Sequence, residues 1–140
     1  MKPILISIQR PHTDNIKALI KNIEVRKSRP KQDTPFTCYI YETKAKGGCG
    51  KVIGEFVCDE VDTYSYDYCD GVDIDDDSLL YTMLERDEIN YYAKGKTSYG
   101  WHISDLKIYD KPKELSEFSK YGFGEPVPLN RPPQSWCYVE

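Results

Sequence analysis

The sequence predicts a single small α+β domain in which short strands form a barrel and helices are inserted between them. Several short segments are rich in β-branched and aromatic residues, and one segment repeats apolar residues with helical spacing. Glycine- and proline-containing turns separate these segments. The 140 residues, 39% of them hydrophobic, are enough to bury one core. We therefore expect one domain over residues 1–140, a barrel with flanking helices.

The first part of the chain predicts a strand, a helix and a second strand. Ile4–Ile8 is a short apolar run, which is typical of a buried strand. Apolar residues then recur with helical spacing at Ile16, Leu19, Ile20 and Ile23. This pattern predicts a helix that is capped by Thr13 and packs its apolar face inward. Residues 23–26 alternate apolar and charged side chains, so we expect a strand that exposes Glu24 and Arg26.

The remaining elements are predicted from composition and turn signals. Residues 36–43 and 51–61 favour strands, and the glycine-rich link between them predicts an antiparallel hairpin. The acidic, tyrosine-rich residues 63–78 show no sustained period, so we expect an irregular segment there. Further along, the pattern predicts helices over residues 77–84 and 85–94, strands over 101–109 and 136–139, and a turn over 112–118.

Cysteine spacing and hydropathy argue against several classes of protein. The five cysteines are odd in number and contain no C-x-x-C pair, so we expect reduced, mostly buried thiols, no metal site and no cofactor. The aspartates at 73–77 lack the spacing of a calcium loop. No apolar run of membrane-spanning length occurs, and the N-terminus lacks the features of a secretory signal. We therefore expect a cytoplasmic protein with no membrane contact.

Charge is distributed unevenly along the chain. Residues 1–51 contain eleven Lys or Arg against four Asp or Glu, which favours an anionic partner such as RNA. Residues 59–77 contain nine acids and no Lys or Arg. This acidic loop would repel nucleic acid, and it could instead occupy a basic surface of a protein partner. A solvated surface without a partner is the alternative interpretation.

The strongest local motif is K-x-x-E-x-R, formed by Lys21, Glu24 and Arg26 and followed by Arg29. A lysine can contact a phosphate as a point charge, and an arginine can hold one with two hydrogen bonds. A glutamate can accept from a base amine or activate a water molecule. The alternative is that these charges are solvated or pair with each other.

Two further segments contain candidate ligand contacts. Trp101 could stack on a base, and His102 could contact a phosphate or transfer a proton. Adjacent residues of a strand face opposite sides, so we expect only one of the two to face a ligand, and Trp101 is also a good core residue. Near the C-terminus, Gln134 and Ser135 could line the entrance of a pocket.

Four longer segments of the sequence also resemble a known family. They are P-F-T-C-Y-I-Y-E-T-K at 35–44, G-K-V-I-G-E-F-V-C-D at 50–59, G-W-H-I-S-D-L-K-I-Y-D-K-P at 100–112 and P-P-Q-S-W-C-Y-V-E at 132–140. With residues 21–26, these segments resemble the ASCH family of the PUA-like superfamily, in its bacterial and phage branch. The family usually has Gly two residues before the motif lysine, where this chain has Leu19. The resemblance implies a PUA-like β-barrel whose motif lies beside a cleft proposed to bind RNA or modified nucleosides.

The resemblance leaves three functional hypotheses. The first is an RNA- or nucleotide-binding domain with Trp101 or His102 opposite the motif. The second is a small hydrolase acting on a modified nucleoside or RNA, with Lys21 and Glu24 as its catalytic residues. Some relatives are amidohydrolases of acetylated cytidine with Thr in the place of Glu24, and Glu cannot follow that route. The third is a protein-interaction factor, of the phage type, that uses the acidic loop.

Overall fold

The computed structural model describes all 140 residues as strands, short helices and connecting turns. The strands are β1 (Ile4–Ile8), β2 (Ile23–Arg26), β3 (Phe36–Glu42), β4 (Lys51–Cys58), β5 (Val61–Tyr64), β6 (Tyr66–Asp67), β7 (Gly71–Val72), β8 (Ser98–His102), β9 (Ser104–Lys113) and β10 (Trp136–Tyr138). The helices are α1 (His12–Lys17), α2 (Asp76–Thr82) and α3 (Arg86–Ala93), with 3₁₀ turns at Ala45–Gly47 and Leu115–Glu117. The longest helix has eight residues, whereas a bilayer needs about 20, so no helix can span a membrane.

The strands form three open sheets. The largest has the order β10-β1-β3-β4-β9, in which only the β1–β3 pair is parallel. A second sheet has the antiparallel order β2-β8-β5, and β6 and β7 form a small hairpin. The α+β class is confirmed, whereas the predicted barrel is not confirmed. The predicted single strand over 101–109 instead divides at Ile103, and its two halves join different sheets.

The helix after β1 is shorter than the apolar spacing predicts. It ends at Lys17, and Leu19 has a φ of 64°, which lies outside any right-handed helix. Leu19 and Ile20 are therefore exposed, whereas Ile16 is buried in the core. Thr13 does not cap the helix, since its buried hydroxyl donates to the carboxylate of Glu42. The left-handed turn leads the chain directly into β2.

Replacing Leu19 by Gly should stabilise the protein. A side chain in left-handed backbone costs about 1–2 kcal/mol, and glycine loses about 0.5–1 kcal/mol more in backbone entropy. Leu19 is 67% exposed, so little packing is lost. We expect the free energy of unfolding to rise by about 0.5–1 kcal/mol in urea denaturation. Leu19→Ala is the matched control, and an equal gain in that variant would exclude backbone strain as the cause.

The later elements lie close to their predicted positions. β3 and β4 pair antiparallel, as the glycine-rich link predicts. The cap of α2 is Asp75, whose side chain accepts from the Ser78 amide, and the helix begins at Asp76, one residue before the predicted start at residue 77. Residues 63–78 were predicted to be irregular, but they contain the end of β5 and the β6–β7 hairpin. Short-range turn chemistry allows these strands, although they lack an apolar period.

The main core lies between the two larger sheets. All five residues of β1 are buried because both faces of this strand are covered: Ile4, Ile6 and Ile8 pack in the main core, and Leu5 packs in a second apolar cluster on the other face. Trp101 has no exposed surface, and its indole meets Phe36 edge to face with 5.8 Å between ring centroids. All five cysteines are free thiols, but only two of them are buried, so the prediction of mostly buried thiols is wrong. Cys38 and Cys58 belong to this core, and burial raises the pKa of Cys58 to about 12.

Candidate functional site

The K-x-x-E-x-R motif forms a buried group of charges where the chain enters β2. Lys21 and Glu24 are only 1% and 6% exposed. The Nζ atom of Lys21 lies 3.2 Å from Glu24 Oε1, and Nη2 of Arg26 lies 2.8 Å from Glu24 Oε2. Lys21 also donates to the carbonyl of Thr82, at the end of α2, over 2.6 Å. One carboxylate therefore bridges two cations, and α2 supports one of them.

Arg26 connects this group to β1 and to the C-terminal segment. Its Nη2 donates to the Ser7 carbonyl over 2.6 Å, and its Nη1 donates to Ser135 Oγ over 3.2 Å. The Ser7 hydroxyl donates in turn to the carbonyl of Pro133 over 2.7 Å. Residues distant in the sequence thus hold the guanidinium in one orientation, which preorganises this part of the site.

Glu24 stays ionised throughout the physiological pH range. Burial alone would raise the pKa of its carboxyl, but the charges of Lys21 and Arg26 outweigh burial and lower the pKa from 4.5 to about 2. A carboxylate with so low a pKa accepts a proton poorly near neutral pH. Glu24 is therefore better suited to positioning Lys21 and Arg26 than to general base catalysis.

A cavity of about 380 Å³ lies against these charges. Its walls include Lys21, Glu24 and Arg26, together with the half-buried ring of Tyr92 on α3 and the exposed side chain of Gln134. Glu88 lies at the same cavity and balances the remaining positive charge, so the formal charges of the lining residues cancel. The size is that of a small-molecule site.

Two polar atoms in this cavity wall have no hydrogen-bond partner. They are Nδ1 of His12 and Oγ1 of Thr43, and both are buried. Burial lowers the pKa of His12 by more than the nearby charge of Glu24 raises it, so the neutral form of the ring is favoured near pH 7. A buried polar atom without a partner costs about 1–3 kcal/mol. Sequence pattern alone does not mark these two residues, because His12 lies at the start of a helix and Thr43 directly after a strand.

The structure separates Arg29, Trp101 and His102 from the cavity. Arg29 does not line it, and its guanidinium donates to the carbonyls of Pro30 and Gln32 in its own loop. Trp101 is fully buried, and its Nε1 donates to the Ser28 carbonyl over 3.3 Å. A ring without exposed surface cannot stack on a ligand.

His102 also lies outside the cavity. Its Nε2 is 2.7 Å from Asp62 Oδ2 on the neighbouring strand β5. Of the predicted contacts beyond the motif, Gln134 lines the cavity and Ser135 reaches it through Arg26. The hypothesis of a wall formed by Trp101 or His102 therefore lacks support from the geometry.

The fold places the chain in a structural class. The chain has the fold of an ASCH domain. The particular relatives are crystal structures of ASCH from Zymomonas mobilis, which is 17% identical to this chain and matches 99% of it with a TM-score of 0.72. A tyrosine-to-phenylalanine variant of that protein matches 100% of this chain and 91% of its own, with a TM-score of 0.74. No protein-family model matches the sequence, and no curated protein matches it.

Proposed function

We propose that this protein binds RNA or a nucleotide-like ligand by enclosing one base in the cavity beside Lys21, Glu24 and Arg26. The observation that carries the proposal is the pair of unpartnered polar atoms, His12 Nδ1 and Thr43 Oγ1, in the wall of that cavity. A ligand with polar edges would supply the missing hydrogen bonds at little structural cost, because the surrounding charges are already fixed.

The donors left free at the site match the polar edges of a nucleobase. An ammonium group has three N–H donors, and Lys21 uses one on Thr82 and one on Glu24. Its remaining N–H can donate to a ring carbonyl, while Thr43 and neutral His12 can pair with ring or exocyclic nitrogen atoms. The edge of a base carries donors and acceptors side by side, which is what Lys21, Thr43 and His12 together require of a ligand.

Stacking and charge support the same ligand class. Tyr92 presents an aromatic ring at the cavity, and a base can stack on such a ring for about 1–3 kcal/mol. Lys27 Nζ lies over the same ring, 4.9 Å from its centroid, and this exposed cation can contact a phosphate. The charge-balanced interior favours the neutral base, and the phosphate would remain near Lys27 at the surface.

The geometry favours binding over hydrolysis by Glu24. Both carboxylate oxygens already contact cations, and the pKa of about 2 makes Glu24 a weak base. The protein-interaction hypothesis rests on exposed acids of residues 59–77, and it stays a prediction.

Thr43→Val should weaken ligand binding without destabilising the protein. The substitution keeps the shape of the side chain and removes a hydroxyl that has no partner in the free protein. We expect the dissociation constant for the best ligand of a nucleoside, nucleotide and short-RNA panel to rise about 2- to 10-fold, the value of one hydrogen bond. Thermal shift should identify that ligand, and calorimetry should measure its affinity.

Thr37→Val is the matched control because Thr37 lies on β3 away from the cavity. Its affinity for the same ligand should equal that of the parent. Equal affinity of the parent and Thr43→Val would remove Thr43 from the site. Absence of any ligand in the whole panel would overturn the proposed function.

A further inference from the structure

Strand register places three potential metal ligands together on the second sheet. Val61 on β5 pairs with Trp101 on β8, so the preceding Glu60 lies opposite the following His102. The His102 amide donates to the Glu60 carbonyl over 3.0 Å, which holds these two positions in register. Asp62 is two residues from Glu60 and therefore projects from the same face of the strand. Pairing of β5 with β8 brings His102 next to Glu60 and Asp62, although His102 lies about 40 residues further along the chain.

The side-chain atoms of this cluster are close enough to share one ion. One ligand atom from each of Glu60, Asp62 and His102 lies within 4.8 Å of the other two. Two ligands bound to one ion at about 2.1 Å each can be up to about 4.2 Å apart. The Glu60 side chain is 65% exposed, so a small rotation of it can bring the ligand atoms from 4.8 Å to within about 4.2 Å of one another. Tyr64 donates to Asp62 over 2.9 Å, which orients that carboxylate.

We propose that Glu60, Asp62 and His102 bind a divalent first-row transition-metal ion. One imidazole nitrogen and two carboxylate oxygens form a mixed donor set that suits Mn²⁺ or Zn²⁺ better than Ca²⁺ or Mg²⁺, which prefer oxygen alone. Glu60 and Asp62 belong to the acidic segment 59–77, which contains nine acids and no Lys or Arg, and the negative charge of this segment attracts cations. The ion would join β5 to β8 and stabilise the folded chain.

This site is independent of the ligand cavity. None of its three residues lines that cavity, and none contacts Lys21, Glu24 or Arg26 through a hydrogen bond. If the metal proposal fails, the proposed function is unaffected. If the proposed function fails, the metal proposal is unaffected.

Substoichiometric Mn²⁺ added to the ¹⁵N-labelled protein tests the proposal by paramagnetic line broadening. We expect selective loss of amide signals around residues 60–62 and 101–103. Glu60→Gln should reduce the Mn²⁺ affinity about tenfold or more, and it leaves the fold intact because Glu60 is exposed. His102→Ala should have the same effect, and excess Zn²⁺ should restore the broadened signals by displacing Mn²⁺.

Asp70→Asn is the matched control because it removes an exposed acid of the same segment outside the cluster. It should leave the broadening pattern and the affinity unchanged. Broadening spread over residues 67–77, or equal affinity in the parent and Glu60→Gln, would show diffuse counterion attraction and overturn the site. Absence of broadening would also overturn it.

Discussion

Glu24→Gln should lower the free energy of unfolding by about 3–5 kcal/mol. Glu24 contacts Lys21 and Arg26 through separate oxygens, and Lys21 is only 1% exposed. An amide in this position leaves a buried ammonium group without a counterion, which is the costly case for a buried ion pair. Urea denaturation at pH 7 measures the loss. Glu125→Gln, at an exposed position, should change stability by less than about 0.5 kcal/mol.

The pH dependence of stability provides a second readout of the same substitution. The pKa of Glu24 falls from 4.5 in the unfolded chain to about 2 in the folded protein. Its stabilising contribution is therefore complete above pH 4.5 and is lost as the pH falls toward 2. The difference corresponds to about 3 kcal/mol. The parent should lose about 2 kcal/mol more stability than Glu24→Gln between pH 5 and pH 2.5, because Glu24 is still partly ionised at pH 2.5. Parallel curves would contradict the ion-pair interpretation.

Local pattern was enough to predict most elements of this fold. β1 and β2 occupy the residues expected from their apolar and alternating sequences. The predicted exposure of Glu24 and Arg26 is wrong, because the two side chains pair with each other and are only 8% and 11% exposed. The helix between them was overextended because the spacing of Leu19 and Ile20 resembles an inward face, whereas a left-handed residue ends the helix. The division of the strand at Ile103 depends on pairing with distant strands, which the local sequence does not encode.

The residues of the candidate site could also be predicted only where the local sequence marks them. The K-x-x-E-x-R motif marked three residues that line the cavity because their charges are unusual at a helix–strand junction. His12 and Thr43 gave no such signal, since their role depends on lacking partners after folding. For His102, the sequence indicated a chemical capability but not its location. Its neighbours Glu60 and Asp62 are brought to it only by the register of β5 and β8.

Trp101→Ala should destabilise the protein by about 3–5 kcal/mol, which is typical of removing a large buried aromatic ring. The indole has no exposed surface, and it packs against Phe36 and Trp136, each with 5.8 Å between ring centroids. The substitution also leaves the Ser28 carbonyl without the indole N–H donor. Guanidinium denaturation followed by far-ultraviolet circular dichroism measures the loss without relying on tryptophan fluorescence.

Trp101→Phe separates a packing role from a ligand-binding role if the alanine variant does not fold. Phe retains most of the apolar contact, so we expect a smaller loss of about 1–3 kcal/mol. Tyr91→Ala, at an 81% exposed aromatic residue on α3, should change stability by less than about 0.5 kcal/mol. The folded Trp101→Phe variant should bind the best ligand of the nucleoside, nucleotide and RNA panel with parental affinity, because the ring at position 101 does not line the cavity. A large loss of affinity with unchanged stability would instead return Trp101 to the binding surface.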